Sequence, residues 1–214
     1  MRTVDTVLFD LDGTLVDSNE LIISSFEHTL GHYYPGEYSR TEILPFIGPS
    51  LNDTFQRLDA GRAEEMVAMY IEHNHEHHDE LLKEYEGVRE AISRLFESGF
   101  KLGVVTTKRK TTTERGLEIT GLKPYFSTIV TFDDVEHVKP HPEPLKKAMQ
   151  ALGSQPAQTL MVGDNTHDID GGKRAGTATA AVSWAVRGLD EVKALHPDYV
   201  LNDMRDLLNI LGVE

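Results

Sequence analysis

Short runs of apolar and β-branched residues recur along the chain at positions 6–9, 101–106, 128–132, 159–163 and 178–183, with a weaker run at 199–201. Their hydrophobicity is nearly continuous, which suits strands of a parallel sheet covered on both faces. Between them, apolar residues fall at helical spacing over 88–97, 111–120, 143–152 and 168–175. Strand alternating with helix predicts an α/β fold, a doubly wound and mainly parallel sheet.

The rhythm breaks once. About ninety residues separate the first run from Lys101, far more than one right-handed crossover needs. Much of this stretch has helical spacing, over 18–30 and 62–82, with breaks at Pro35 and Gly36 and at 46–50. An inserted helical cap domain is therefore expected over residues 16–83, on linkers near 16–18 and 83–87. The α/β core then comprises residues 1–15 and 84–214.

Composition narrows the function classes. The 214 residues are 39% hydrophobic and 26% charged, which places the chain among globular proteins rather than disordered ones. No run approaches the ~18 apolar residues of a membrane span. The apolar segment after Met1 and Arg2 is only a few residues long and ends at Asp10, so no signal peptide is read and a cytoplasmic location is the default. Zero cysteines exclude a disulfide framework, thiol catalysis and a thiolate metal site. The net charge of −14 argues against a nucleic-acid partner. An anionic substrate would need a locally positive site, which a divalent cation supplies most simply. Otherwise the charge serves solubility.

Candidate chemistry clusters at the ends of the apolar runs. Asp10, Leu11, Asp12 and Gly13 close the first one. In open α/β sheets ligands bind at the carboxyl ends of the strands. Two carboxylates around a glycine turn converge on a small volume, and they repel unless protonated or bridged by a cation. A hard ion such as Mg²⁺ fits oxygen donors of this kind. Asp164, after the run at 159–163, completes a cage of Asp10, Asp12 and Asp164 if the two strands are neighbours. Asp168 also suits the first turn of a helix. Thr106, Thr107 and Lys108 follow another run. A hydroxyl there can donate to a phosphoryl oxygen or simply cap a helix. Lys139 is held between Val138 and the Pro140, His141, Pro142 segment, which suits a fixed positive charge, although a solvated loop lysine is the commoner case.

An acid pair, a hydroxyl, a lysine and a second acid pair, each at or near a strand exit, resemble the four signature motifs of the haloacid-dehalogenase-like hydrolases. The matching residues are Asp10 to Thr14, Thr106, Lys139 with Pro140, and Gly163 to Asp168. The inserted helical segment resembles that superfamily's cap, so the likeness spans nearly the whole chain. It implies that Asp10 is a nucleophile forming an aspartyl-phosphate and that Asp12 is the general acid and base. It implies Mg²⁺ on the Asp10 and Asp164 side chains and the Asp12 carbonyl. Thr106 and Lys139 would bind phosphoryl oxygens, and Asp168 would orient Lys139 or a metal-bound water. The superfamily's dehalogenases lack a second aspartate in the first motif, so Asp12 counts against that activity. Its sugar-phosphate mutases carry a histidine on the first cap helix, where this chain has Ile22.

Among the phosphatases, the stretches 19–25, 32–35, 44–51, 133–140 and 161–168 resemble bacterial inorganic pyrophosphatases. Phosphoglycolate phosphatases are near relatives and give the alternative substrate. A non-catalytic binding module on the same fold is the alternative of a different class, against which the intact set of motif residues speaks. The loop around Gly48 resembles a cap loop that reaches into the active site, or is a break between two cap helices. Pyrophosphate carries more charge than a phosphomonoester, so Lys108 is the expected extra cation, with Arg57 and Arg40 next. Arg109 and Lys110 are read as solvated. His73 and His77 share a helical face, but their acidic neighbours Glu72, Glu76, Asp79 and Glu80 favour a hydrated surface for the whole cluster from His73 to His78. Trp184 is expected in the core or at its rim. No feature of the sequence addresses the oligomeric state.

Overall fold

A computed structural model describes residues 4–213. Residues 1–3 and 214, which the expected core segments include, lie outside the described residues. In chain order the elements are β1 (Thr6–Phe9), β2 (Val16–Asp17), α1 (Asn19–Tyr33), α2 (Arg40–Ile43), α3 (Leu51–Leu58), α4 (Ala63–Leu81) and β3 (Lys83–Glu84). There follow α5 (Val88–Glu97), β4 (Lys101–Val105), α6 (Lys110–Ile119), β5 (Thr128–Val130), α7 (Glu143–Leu152) and β6 (Thr159–Gly163). The chain ends with α8 (Thr166–Ala175), β7 (Ala178–Val182), α9 (Leu189–Lys193), β8 (Tyr199–Leu201) and α10 (Asp206–Leu211).

The main sheet has six parallel strands in the order β5-β4-β1-β6-β7-β8. Its strands read as unbroken apolar runs because both faces are covered. Val7 and Phe9 face one layer with Leu95 of α5 and Leu207 of α10, while Leu8 faces the other with Leu145 and Met149 of α7. This is the two-residue alternation of a strand serving two cores at once. The expected α/β class with a mainly parallel sheet is what the chain adopts.

The run expected to extend to residue 132 stops at Val130. Thr131 instead caps a short turn, its N–H and hydroxyl both donating to the Asp134 carboxylate at 2.9 and 2.6 Å. A side chain that satisfies local backbone groups competes with the sheet, and here it wins.

Helices α1 to α4 pack around a core of their own. Phe26 lies at its centre, with ring centroids of Tyr70, Phe55 and Phe46 at 4.8, 5.6 and 5.6 Å. On α4 the buried residues Ala63, Met66, Tyr70, Asn74 and His78 recur at three- and four-residue intervals, the stripe of an amphipathic helix. The two chain segments joining these helices to the sheet layer run side by side, paired antiparallel as Val16 with Glu84 and Asp17 with Lys83.

The expectation of a hydrated surface for the histidine cluster is only partly met. His75 is exposed and His73 and His77 are half-buried, but His78 is fully buried. Its ring reaches α6 where Gly116 presents no side chain, and burial pulls the imidazole below its ordinary pKa. Trp184 is partly buried against the main core, with Tyr85 at 5.7 Å. Among the described residues no helix is long and apolar enough to cross a membrane.

Phe26 is fully enclosed by aromatic neighbours that cannot collapse into its space. We expect Phe26→Ala to lower stability by about 3–5 kcal/mol, read from the urea midpoint at unchanged slope. A loss below about 1 kcal/mol would mean that this helical core is far looser than its packing indicates.

Candidate active site

Strand β1 lies between β4 and β6, so the residues leaving these three strands meet at one edge of the sheet. Asp10 stays in register, its N–H donating to the Val162 carbonyl at 2.9 Å. The chain then turns sharply at Gly13, whose φ is +77°. A β-carbon there would lie 2.5 Å from an Asp164 carboxylate oxygen. Only glycine lets the first turn approach the end of β6 so closely. Thr14 donates to Asp164 Oδ1 at 3.3 Å.

Lys139 reaches in from the loop before α7 and is almost completely buried. Its ammonium donates to Asp10 Oδ1 at 2.9 Å, Asp168 Oδ1 at 2.7 Å and the Val105 carbonyl at 2.6 Å. All three N–H groups are used, and Lys139 lies beneath the cleft rather than lining it. Asp168 is held in turn by the Asn165 N–H on its Oδ2 at 3.0 Å. Burial alone would lower the Lys139 ammonium, but Asp10 and Asp168 together hold it above its ordinary value.

The carboxylates outnumber this cation. Ligand oxygens of Asp10, Asp164 and Asp168 all lie within 4.8 Å of one another. Burial pushes the Asp10 carboxyl up to about 7 in spite of Lys139, and raises Asp164 well above its ordinary range, with Asp168 and Asp10 adding repulsion. Fully ionised, three carboxylates and one ammonium leave two negative charges in excess at a buried point.

Asp12 has separate supports. Its Oδ1 accepts from Lys108 Nζ at 2.7 Å and from the Ser18 hydroxyl at 2.5 Å. Lys108 has no other protein acceptor among the described residues and lines the cleft, as do Thr106 and Thr107. The Thr106 oxygen accepts from the Lys108 N–H at 3.2 Å, which leaves its hydroxyl proton free to donate.

The opposite wall of the cleft, about 130 Å³ in volume, comes from the helices: Ile22, Tyr70, and the loop from Phe46 to Pro49. That loop is gripped through its backbone. The Ile47 carbonyl accepts from Asn165 Nδ2 at 3.2 Å and from Arg187 Nη1 at 3.4 Å. The Gly48 carbonyl accepts from the Thr107 hydroxyl at 3.1 Å. Gly48 has φ +110°, and a β-carbon on it would come within 2.2 Å of Asn165 Nδ2.

The structure thus brings Asp10, Asp12, Thr106, Thr107, Lys108, Gly48 and Asp164 to one cleft, with Lys139 and Asp168 as its foundation. Arg40 does not join them, pairing with Glu20 and Glu27 instead, and Arg57 does not line the cleft. Arg109, expected to be solvated, is exposed and also reaches the cleft rim beside Phe132. Ser18, Asn165, Arg187 and Tyr70 were not anticipated. Ser18 and Asn165 fall beside or within the motif segments, where a polar residue at a helix start was a usable signal. Arg187 and Tyr70 meet the cleft only through tertiary packing.

A family model described as haloacid dehalogenase-like hydrolase matches residues 7–182. The chain belongs to this family. Among curated relatives of this hydrolase, Pyrophosphatase PpaX of Bacillus mycoides (strain KBAB4) is 59% identical over 209 residues, covering 98% of this chain and 97% of that protein. Pyrophosphatase PpaX of Bacillus cereus (strain AH820) is 57% identical over the same span. A solved haloacid dehalogenase-like family protein from Streptococcus pneumoniae, 24% identical, superposes with a TM-score of 0.87 over 98% of this chain and 99% of that one, a likeness of fold.

The backbone grip on the loop from Phe46 to Pro49 has a direct test in this hydrolase. Gly48→Ala adds a methyl where Asn165 already stands and forces a strained φ. We expect kcat/KM for phosphate release to fall by about tenfold or more, with the circular dichroism spectrum unchanged. Wild-type activity in this variant would show that the loop need not dock as observed.

Proposed function

We propose that this haloacid dehalogenase-like hydrolase is a Mg²⁺-dependent inorganic pyrophosphatase working through an aspartyl-phosphate on Asp10. The chemistry rests on one observation, the Asp10 carboxylate held by Lys139 at the floor of a cleft with Asp12 beside it. The substrate reading rests on the 59% identity to a protein named as a pyrophosphatase. Residues 16–83 act in this reading as a cap over the cleft.

The residues fit a hard divalent ion. The donors are oxygens only, and the buried carboxylates are two charges short of neutrality. The Asp10 and Asp164 side chains and the Asp12 backbone carbonyl would hold Mg²⁺. When bound, it supplies the charge that lets an anionic nucleophile face an anionic substrate.

The protein's own groups carry the reaction. An Asp10 carboxylate oxygen attacks phosphorus as the bond to the departing phosphate breaks, and Asp12 gives that phosphate a proton. Lys139 engages only Oδ1 of Asp10, so Oδ2 accepts no hydrogen bond from the described residues. Asp12 then takes a proton from water, whose oxygen attacks the acyl phosphate, releasing phosphate and restoring Asp10. Thr106 donates its hydroxyl to the transferred group. Lys108 retains two N–H donors for the second phosphate of the substrate. Lys139, with its donors already used, fixes and balances Asp10 instead of binding the phosphoryl group directly. This differs from the role that the family resemblance first suggested.

We expect Asp10→Asn to cut phosphate release from pyrophosphate by about a thousandfold or more. The amide keeps the shape of the side chain but cannot form the acyl phosphate. Near wild-type turnover would remove Asp10 from the nucleophile's role. In wild-type protein with Mg²⁺, kcat/KM should be higher for pyrophosphate than for phosphoglycolate. The opposite order would overturn the substrate and leave the chemistry standing.

The raised carboxyls also link the cation to pH. The folded, metal-free protein holds protons at Asp10 between the ordinary value of 3.8 and about 7, where the unfolded chain has lost them. This contribution to stability is therefore present at low pH and declines as pH rises through that window. Mg²⁺ competes with the same protons, so it should raise the thermal midpoint more near about pH 8 than near about pH 5. Calorimetry showing equal shifts at both pH values would place the ion away from these carboxylates.

A further inference from the structure

Outside the cleft, a second set of metal-type donors occupies the loop leading into α7. His137 Nδ1 lies 3.0 Å from Glu143 Oε2, and His141 Nδ1 lies 3.7 Å from the same oxygen. The two imidazole rings are 4.6 Å apart, and ligand atoms of all three side chains fall within 4.8 Å of one another. Around an ion with bonds of about 2.0–2.1 Å, tetrahedral ligand atoms are about 3.3 Å apart. The observed 3.0 and 3.7 Å bracket that spacing, and an ion would replace the hydrogen bond between His137 Nδ1 and Glu143 Oε2 and the one that His141 Nδ1 accepts from the Glu143 N–H at 3.3 Å.

The carboxylate is also fixed in advance. Glu143 Oε1 accepts from the Glu136 N–H at 2.9 Å and Oε2 from the His137 N–H at 3.1 Å. Supports of this kind orient a ligand before the ion arrives. The loop is stiffened by Pro140 and Pro142 and by a turn in which the His141 N–H donates to the Val138 carbonyl at 2.9 Å. Side-chain exposures of 61%, 50% and 30% for His137, His141 and Glu143 leave the group open to solvent. Two imidazoles and one carboxylate suit a zinc-class ion, whereas the all-oxygen cluster under the cleft suits a hard one.

We propose that His137, His141 and Glu143 form a second metal site, for a zinc-class divalent ion whose remaining coordination positions are filled by water. Lys139 stands between two of the ligands, so a bound ion ties together both flanks of the residue that balances Asp10 and Asp168.

The test is calorimetric titration of Zn²⁺ into the whole chain in excess Mg²⁺, with the thermal midpoint as a second readout. Wild-type protein should bind Zn²⁺ at this site and be stabilised by it. His137→Ala and His141→Ala should each weaken binding by about tenfold or more, and Glu143→Gln should weaken it without altering the fold. The double variant His73→Ala, His77→Ala controls for the other surface histidines and should bind as wild type does. The site is overturned if wild-type protein takes up no Zn²⁺, if His141→Ala binds unchanged, or if binding disappears in the double variant.

Discussion

The buried ammonium of Lys139 is the interaction on which the rest of the site depends. It joins Asp10 after β1, the last carbonyl of β4 and Asp168 on the helix after β6, three points that are remote in sequence. An ion stripped of water is costly unless its partners are in place, by several kcal/mol per charge. Three neighbouring strands must therefore be in register before the lysine is satisfied. The same cation makes it possible to bury Asp10 and Asp168, but it cannot also balance Asp164. The unbalanced charge left at the sheet edge is what suits the site to a hard cation and an anionic substrate.

Asp12 is managed differently. It is gripped from two sides, by Ser18 at the start of the helical segment and by Lys108 after β4. Ser18 directly follows the antiparallel pair of β2 and β3, where the chain passes from sheet to helices. A swing of the helices about that pair would carry Ser18 with it. Asp12, the proton donor and acceptor of the proposed mechanism, would thereby be coupled to the position of the helices, while the Asp10–Lys139–Asp168 group stays with the sheet.

Strands buried on both faces were the most legible part of the fold. The runs at Thr6–Phe9 and Thr159–Gly163 were located to the residue because nothing polar interrupts them. The run at 128–132 was read too long, since Thr131 and Phe132 look like strand residues until Asp134 is seen to capture the backbone. Helix α3 is only eight residues long, and its apolar positions Leu51, Phe55 and Leu58 make too short a stripe to stand out from the sequence. At the site, residues at strand ends could be listed from the sequence, because position in the chain and chemistry coincide there. Contacts set by packing could not, which is why Arg187 on Ile47 and His78 against Gly116 were missed. The saturation of Lys139 was likewise invisible, because a sequence names donors but not who has already claimed them.

The grip on the loop from Phe46 to Pro49 has a consequence for how such an enzyme changes over time. Asn165, Arg187 and Thr107 hold the carbonyls of Ile47 and Gly48, groups that every residue carries. The side chains of Phe46 and Pro49 in the loop, and of Leu51 at the start of α3, face the cleft without taking part in that hold. Mutation can therefore rewrite the surface presented to a ligand without dismantling the fastening that brings it there. Only position 48, where the backbone itself must bend past Asn165, is closed to such drift. Selection for new substrates and selection for this grip act on different atoms of the same short segment.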